Sequence, residues 1–140
     1  MKLIVSFFVF LLLSCSVFAQ SPIGVWKTVD DEDGEEKSHV RIFEGDDGLI
    51  YGEIIKILNE EDADSLCTEC KDHRKDKPIL GMQVITNMAP AGDTYKKGSI
   101  LDPNNGKVYR CKLWLDGEDV LMVRGYLGPF FRTQKWYRVN

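Results

Sequence analysis

From residue 20 onward the chain alternates short runs of apolar, β-branched and aromatic residues with clusters of Gly, Asp, Asn and Pro. No long stretch has apolar residues at the i, i+3, i+4, i+7 spacing of an amphipathic helix, so the pattern predicts an all-β domain. Eight strands are predicted, at residues 25–29, 39–43, 49–58, 79–87, 95–101, 108–115, 120–126 and 133–139. The connections between them are mostly short enough to be tight turns, which predicts antiparallel neighbours.

The alternation is clearest in KVYRCKLWL, residues 107–115. One face of this predicted strand is apolar and faces the core, and it carries Tyr109, Cys111, Leu113 and Leu115. Eight short antiparallel strands form either a sandwich or an up-and-down barrel, and closure into a barrel removes the exposed strand edges. The pattern alone leaves both architectures open.

The first residues have a different composition from the rest of the chain. Lys2 precedes a largely apolar run at residues 3–13, and Val17 and Ala19 have the small side chains that signal peptidase requires. We therefore predict a signal peptide at residues 1–19, cleavage between Ala19 and Gln20, a single domain at residues 20–140, and a periplasmic or secreted location. Lipidation at Cys15, in LLSC, is the alternative.

The chain is acidic, with 22 Asp and Glu against 18 Lys and Arg and a net charge of −4. Binding to nucleic acid or to an anionic membrane needs a basic face, so the charge balance argues against both partners. The predicted mature chain has no transmembrane segment, because the one long apolar run is only about half the roughly 20 residues that a bilayer requires.

The first predicted strand carries the motif GVW at residues 24–26, which resembles the G-x-W that opens lipocalin-type barrels. In that fold the tryptophan closes one end of the barrel and a basic residue from the last strand packs over it. The resemblance therefore implies a barrel-closing role for Gly24 and Trp26. Arg138, or alternatively Arg132, would supply the cation.

A wider resemblance covers nearly the whole predicted domain. The blocks GVWKTVDDEDGE, YGEIIKIL, GSILDPNNGKVYRCKLWL, VRGYLG and RTQKWYRV are similar, in this order, to a bacterial secreted family of unknown function, DUF2147, grouped with the calycins. This resemblance implies a lipocalin-like (calycin) antiparallel up-and-down barrel of about eight strands. It implies no activity.

Alternate connections of such a barrel emerge at the same end, so the first, third, fifth and seventh should share the rim that is open in lipocalins. We expect a small apolar or amphipathic ligand at this rim, with arginines beside aromatic rings to suit an anionic head group. The candidate ligand-binding residues are Arg124, Tyr126, Phe130, Phe131, Arg132 and Trp136. The competing interpretation places the arginines and aromatic residues in pairs on the outer wall, around a filled or shallow interior.

The long third connection contains Cys67 and Cys70, with His73 nearby. A zinc site would need these three residues and Cys111, whose predicted strand position lies below the rim, and no second C-x-x-C follows. Redox chemistry would need the pair at the start of a helix in an α/β unit, which this pattern lacks. We therefore predict a Cys67–Cys70 disulfide with Cys111 free, or, as a second choice, Cys111 paired with one of them.

No nucleophile has an evident base nearby, and the plentiful carboxylates lie in acidic turns, so we expect no enzyme, no metal and no cofactor. Two functions from different classes remain. The first is a secreted lipocalin-like barrel that binds a small apolar or amphipathic molecule at the loop rim. The second is an envelope protein-interaction module with a filled barrel, which docks a protein partner through Phe130 and Phe131.

Overall fold

A computed structural model describes residues 20–140 of the chain. The predicted signal peptide and Cys15 lie outside these residues. Eight strands form one closed antiparallel barrel in which every strand pairs with its neighbours along the chain and the last pairs with the first. The strands are β1 Gly24–Val29, β2 Glu36–Glu44, β3 Ile50–Ile57, β4 Gln83–Ala91, β5 Thr94–Asp102, β6 Lys107–Leu115, β7 Val120–Leu127 and β8 Phe130–Arg138.

The predicted all-β up-and-down barrel is thus confirmed. Alternation places one side of each strand inside, as in β6, where Cys111 and Leu113 are buried and Arg110 is exposed. Within residues 20–140 the only helical element is one 3₁₀ turn, Glu60–Asp62. Within residues 20–140 no helix is long and apolar enough to cross a membrane.

Three strands start three or four residues away from their predicted starts, and the others agree within one residue. β2 begins at Glu36 instead of residue 39. β4 begins at Gln83 instead of residue 79, because Ile79 and Met82 belong to the preceding loop, where the Ile79 amide donates to the Ser65 carbonyl. The strand also continues past Asn87, which takes φ 57 within it. The strand was expected to end there because the segment APAGD, residues 89–93, has the composition of a turn. Its first three residues instead pair with β5.

β8 begins at Phe130 instead of residue 133. The connection before it is only Gly128 and Pro129, and Leu127 pairs directly with Phe130. Gly128 has φ 58 at the first turn position, as a tight hairpin with a type II′ turn requires. The segment GPFFR is therefore not a loop, and both phenylalanines belong to a strand.

One end of the barrel is closed by Trp26, which has no exposed surface. The guanidinium carbon of Arg138 lies 4.2 Å from the centre of the Trp26 ring, and the indole N–H donates to the Pro22 carbonyl at 2.8 Å. Gly24 leaves room for this arrangement, since a Cβ atom there would lie 2.8 Å from Nη1 of Arg138. We call this the closed end.

Candidate functional site

The opposite end, the open end, is formed by the connections 30–35, 58–82, 103–106 and 128–129. A cavity of about 630 Å³ begins there and extends into the barrel. Its inner surface is largely apolar and comes from strands all around the barrel; it includes Val40, Ile54, Val84, Ile100, Val123 and Trp136. The barrel therefore has a recess on the side away from Trp26, and its interior is not filled.

Two hydroxyl groups face this recess among the apolar side chains. Thr28 and Ser38 are both buried, and their side-chain oxygens are 2.9 Å apart in a hydrogen bond. The Ser38 amide also donates to Oγ1 of Thr28 at 3.1 Å. Each hydroxyl oxygen has two lone pairs, so this pair keeps capacity to accept a hydrogen bond from a molecule in the cavity.

The contact between the first and last strands, β1 and β8, which we call the seam, combines a short backbone pairing with side-chain hydrogen bonds. Backbone pairing joins these strands only at Trp26 with Arg138 and at Lys27 with Tyr137, near the closed end. Further up, side chains connect them: Nε of Arg132 donates to Asp31 at 3.0 Å and the Gln134 amide donates to the same carboxylate at 3.2 Å.

The seam cluster of Asp31, Arg132 and Gln134 is electrostatically coupled. The hydrogen bond from Arg132 lowers the pKa of Asp31, and Gln134 adds to the effect, while partial burial opposes it. Nη1 of Arg132 also lies 3.2 Å from a carboxylate oxygen of Glu32, so this guanidinium is held between two acids. The indole N–H of Trp136 donates to the Gln134 side chain at 3.0 Å, which links the seam to the cavity floor.

The rim of the cavity exposes large apolar side chains. Phe130 is 75% exposed, Leu127 52% and Leu66 46%, and all three line the cavity. Single exposed apolar residues are common on protein surfaces. Three around one opening form a site where a bound apolar molecule would cover their side chains and shield them from water.

The long loop 58–82 covers part of the open end and contains the Cys67–Cys70 disulfide, which confirms the first cysteine prediction. Both cysteines are buried. The Cys67 amide donates to the Lys77 carbonyl at 2.8 Å, which closes the loop upon itself. Within this loop, hydrogen bonds from Arg74 lower the pKa of Asp72 to about 2.

The loop also rests on the β5–β6 turn. Gly106 in that turn has φ 70, and a Cβ atom there would lie 1.8 Å from the carbonyl oxygen of Glu69. Only glycine permits this approach, because any side chain would displace one of the two backbones. The turn DPNNG, residues 102–106, therefore positions one wall of the cavity mouth.

Cys111 is free and buried on the inner face of β6, and burial raises the pKa of its thiol to about 12. The second cysteine prediction, a bond from Cys111 to the loop, is not what the structure contains. His73 is exposed on the loop, away from Cys111. Among residues 20–140 no group of three or more His, Cys, Asp or Glu is arranged to hold a metal ion.

The predicted ligand-binding residues divide between two surfaces. Phe130, Arg132 and Trp136 line the cavity. Arg124 and Tyr126 do not, because they occupy the positions of β7 that alternate with the inward-facing Val123 and Gly125. The prediction that Arg124 and Tyr126 lie at the mouth is therefore corrected: the alternation of side chains along β7 places both on the outer wall.

On the outer wall Arg124 makes the cross-strand contacts of the competing interpretation. Its guanidinium carbon lies 4.4 Å from the centre of the Phe131 ring and 4.9 Å from that of Trp114. Tyr126 also packs on Phe131, with ring centres 6.0 Å apart. Phe131 thus reaches the rim but has its ring partners outside the barrel.

The sequence reasoning did not find Thr28, Ser38, Asp31 or Gln134. Alternate residues of a strand face the same side, and this rule could have placed three of them inside the barrel. Thr28 follows Trp26 by two residues, Ser38 precedes Val40 by two, and Gln134 precedes Trp136 by two. Asp31 had no such signal, since its role depends on the seam between the first and last strands.

The sequence and the fold were compared with known proteins. The family described as "Uncharacterized protein conserved in bacteria (DUF2147)" matches residues 24–138. None of the curated proteins matches the chain. One similar solved structure is described as "Protein HP1028 from the human pathogen Helicobacter pylori belongs to the lipocalin family". It is 18% identical, with a TM-score of 0.73 over 86% of this chain and 84% of that one.

Proposed function

The chain belongs to the DUF2147 family of bacterial proteins, and we propose that it is a binding protein that holds a small apolar or amphipathic molecule in its open-end cavity. The observation that carries this proposal is the cavity itself, with an apolar interior and an apolar rim. The lipocalin description of the similar structure agrees with such a role, since a barrel of eight strands is wide enough to hold one small ligand.

The size and lining of the cavity support this role. A volume of about 630 Å³ falls within the range of roughly 300–1,000 Å³ that is typical of small-molecule sites. Such sites combine apolar walls with a few polar groups that orient the ligand. Thr28 and Ser38 supply these groups on the cavity wall, near the open-end termini of β1 and β2, and Gln134 supplies one near the seam.

We propose binding, not catalysis, as the role of the cavity. Arg132, which lines the cavity, is held in ion pairs with Asp31 and Glu32 and is not free to act on a ligand. We also propose that the protein acts outside the cytoplasm, in the periplasm or after secretion. The Cys67–Cys70 disulfide supports this location, because such bonds persist in oxidising compartments.

The alternative function, docking of an envelope protein, is favoured by one observation. Leu127, Phe130 and Phe131 form an exposed apolar tip on the β7–β8 hairpin. The cavity favours the first function over the filled barrel that this alternative assumed, and the docking tip is the observation that supports the alternative.

The first test is titration of the purified protein with N-phenyl-1-naphthylamine, a neutral apolar probe that becomes fluorescent when it leaves water. We expect saturable binding of one probe per chain. Leu127→Glu should weaken binding about tenfold, because a carboxylate at the rim is costly to cover with an apolar molecule.

Ile55→Glu is the matched control. Ile55 is similarly exposed, at 42% against 52%, but it lies on the outer face of β3 and does not line the cavity. Its probe affinity should equal that of the unmodified protein. Absence of saturable binding, or an equal loss in both variants, would contradict the cavity as the binding site. Retained probe binding together with a co-purifying protein lost in Phe130→Ser would add the docking function.

A further inference from the structure

The charged groups around the cavity are strongly unbalanced. Six carboxylate residues and two basic residues line it; the acids are Asp30, Glu35, Glu36, Asp62, Glu69 and Asp102, and the bases are Lys37 and Arg132. The carboxylates come from the first, third and fifth connections and the strand ends beside them. The lining therefore has a formal net charge of −4.

The rest of the chain is neutral by comparison. The whole sequence has 22 acidic and 18 basic residues, and removing the six and two that line the cavity leaves 16 of each. The one basic residue outside the described part of the chain is Lys2. The acidic excess of this protein is thus concentrated around one opening and is not spread over its surface.

The two basic residues of the lining do not offset this charge for an incoming ligand. Arg132 is paired with Asp31 and Glu32. Lys37 is paired with Asp33 at 3.1 Å and with Glu35 at 2.8 Å. Three of these partners, Asp31, Glu32 and Asp33, add negative charge immediately outside the lining, where Lys27 adds one positive charge and pairs with Glu36 at 2.8 Å. Within the described residues, the four lining carboxylates without an ion pair are those of Asp30, Asp62, Glu69 and Asp102.

From this arrangement we propose that the cavity selects a cationic amphiphile, a molecule with an apolar body and an amine or ammonium head group. The inference rests on the proposed function: the cavity is the site, and the carboxylates set the sign of the head group. An apolar recess under a mouth of one charge sign focuses the electric field and concentrates ligands of opposite charge. The apolar body would fill the recess above Trp136 while the head group stays at the rim among the acids.

This replaces the anionic head group expected from the sequence. That expectation depended on Arg124 and Arg132 acting together, and the structure places the first on the outer wall and the second between two acids. An anionic head group at the mouth would meet four uncompensated negative charges, and like charges in a desolvated cleft oppose binding.

The test is displacement of N-phenyl-1-naphthylamine by three twelve-carbon ligands that differ only in the head group, each below its micelle concentration at pH 7. Dodecylamine is cationic, dodecanol neutral and dodecanoate anionic. We expect dodecylamine to displace the probe at about tenfold lower concentration than dodecanoate, with dodecanol between them. The preference should shrink from 20 mM to 500 mM NaCl, because salt screens exposed charges.

Charge-removing variants locate the effect. Asp62→Asn with Glu69→Gln removes two carboxylates at the open end, and Asp46→Asn with Glu118→Gln removes two exposed ones at the closed end. The first pair should reduce the preference for the amine about threefold, measured as the ratio of the dodecylamine and dodecanoate displacement concentrations within each variant. The second pair should leave this ratio as it is in the unmodified protein.

Equal displacement by all three ligands, or stronger displacement by dodecanoate, would overturn the inference while the probe still shows a functional cavity. Failure of the probe to bind would instead overturn the proposed function and the inference together. Equal effects of the two charge-removing pairs would show that net charge, and not the mouth, sets the preference.

Discussion

At the closed end of the barrel Trp26 is fully buried, whereas at the open end Leu127 and Phe130 face solvent beside the cavity. Trp26 is held by its own hydrogen bond to Pro22 and by the overlying Arg138. The Arg138 guanidinium in turn donates to the carbonyl oxygens of Ser21, Ile23 and Glu118.

This difference assigns the stability of the barrel mainly to the closed end and the proposed binding to the open end. Burial of large apolar side chains and satisfied polar groups stabilise the closed end. At the open end, apolar side chains are exposed to water. A molecule that covers them would gain the free energy of removing apolar surface from water. Substitutions at the two ends should therefore affect different measurements, and this separation can be tested.

The largest expected effect is that of Trp26→Ala. Removing a fully buried tryptophan leaves a cavity that the barrel cannot refill, so the free energy of unfolding should fall by about 3–5 kcal/mol. Urea unfolding followed by circular dichroism measures this loss. Phe130→Ala at the open end should change stability by no more than about 0.5 kcal/mol and should weaken probe binding. Similar stability losses in the two variants would remove the distinction between the ends.

The second prediction compares two glycines with positive φ. Gly106→Ala should cost about 2 kcal/mol or more, since the new methyl group would strike the Glu69 carbonyl in addition to the strain of φ 70. Gly92→Ala, in the β4–β5 turn of the closed end, has φ 67 and nothing within 4 Å of the added Cβ, so it should cost about 1 kcal/mol.

This pair isolates the contact between the long loop and the β5–β6 turn. Only Gly106→Ala should also change probe affinity, because it displaces a wall of the cavity mouth. If both variants lose the same stability and bind the probe equally, the loop does not depend on that contact.

The third prediction compares two arginines on β8. Arg138→Met should cost about 1–3 kcal/mol, because three carbonyl oxygens lose a charged donor and the Trp26 ring loses its cation. Arg132→Met removes exposed ion pairs and should cost at most about 1 kcal/mol. Thermal unfolding of the two variants beside the unmodified protein measures the difference, and a larger loss in Arg132→Met would contradict it.

The closed end was more predictable from the sequence than the open end. The eight runs and their turns predicted an antiparallel all-β domain, and the family resemblance implied that it closes into a barrel. The GVW motif led to Trp26, with Arg138 as one of two candidates for the cation. The Cys67–Cys70 disulfide was also predicted correctly. These features depend on local alternation, on turn chemistry and on the proximity of two cysteines, all of which the sequence contains.

The open end depends on long-range geometry that no local pattern encodes. Whether Arg124 faces in or out depends on the phase of β7, and the start of β8 depends on how tightly residues 128–129 turn. The acidic mouth arises because three connections distant in sequence meet at one rim. Asp31 gains its role only when the last strand returns beside the first.

The smallest predicted effect concerns the seam that joins the two regions. Because Arg132 lowers the folded-state pKa of Asp31, the pair contributes stability above the unfolded pKa near 3.8, and this contribution is lost as the pH falls through the lower folded value. Arg132 is half exposed, so Asp31→Asn should cost only about 0.5 kcal/mol at pH 7. In unfolding measurements the stability difference from the unmodified protein should shrink steadily as the pH is lowered below 3.8. A difference that does not shrink would mean that packing of Asp31, and not its charge, closes the upper seam.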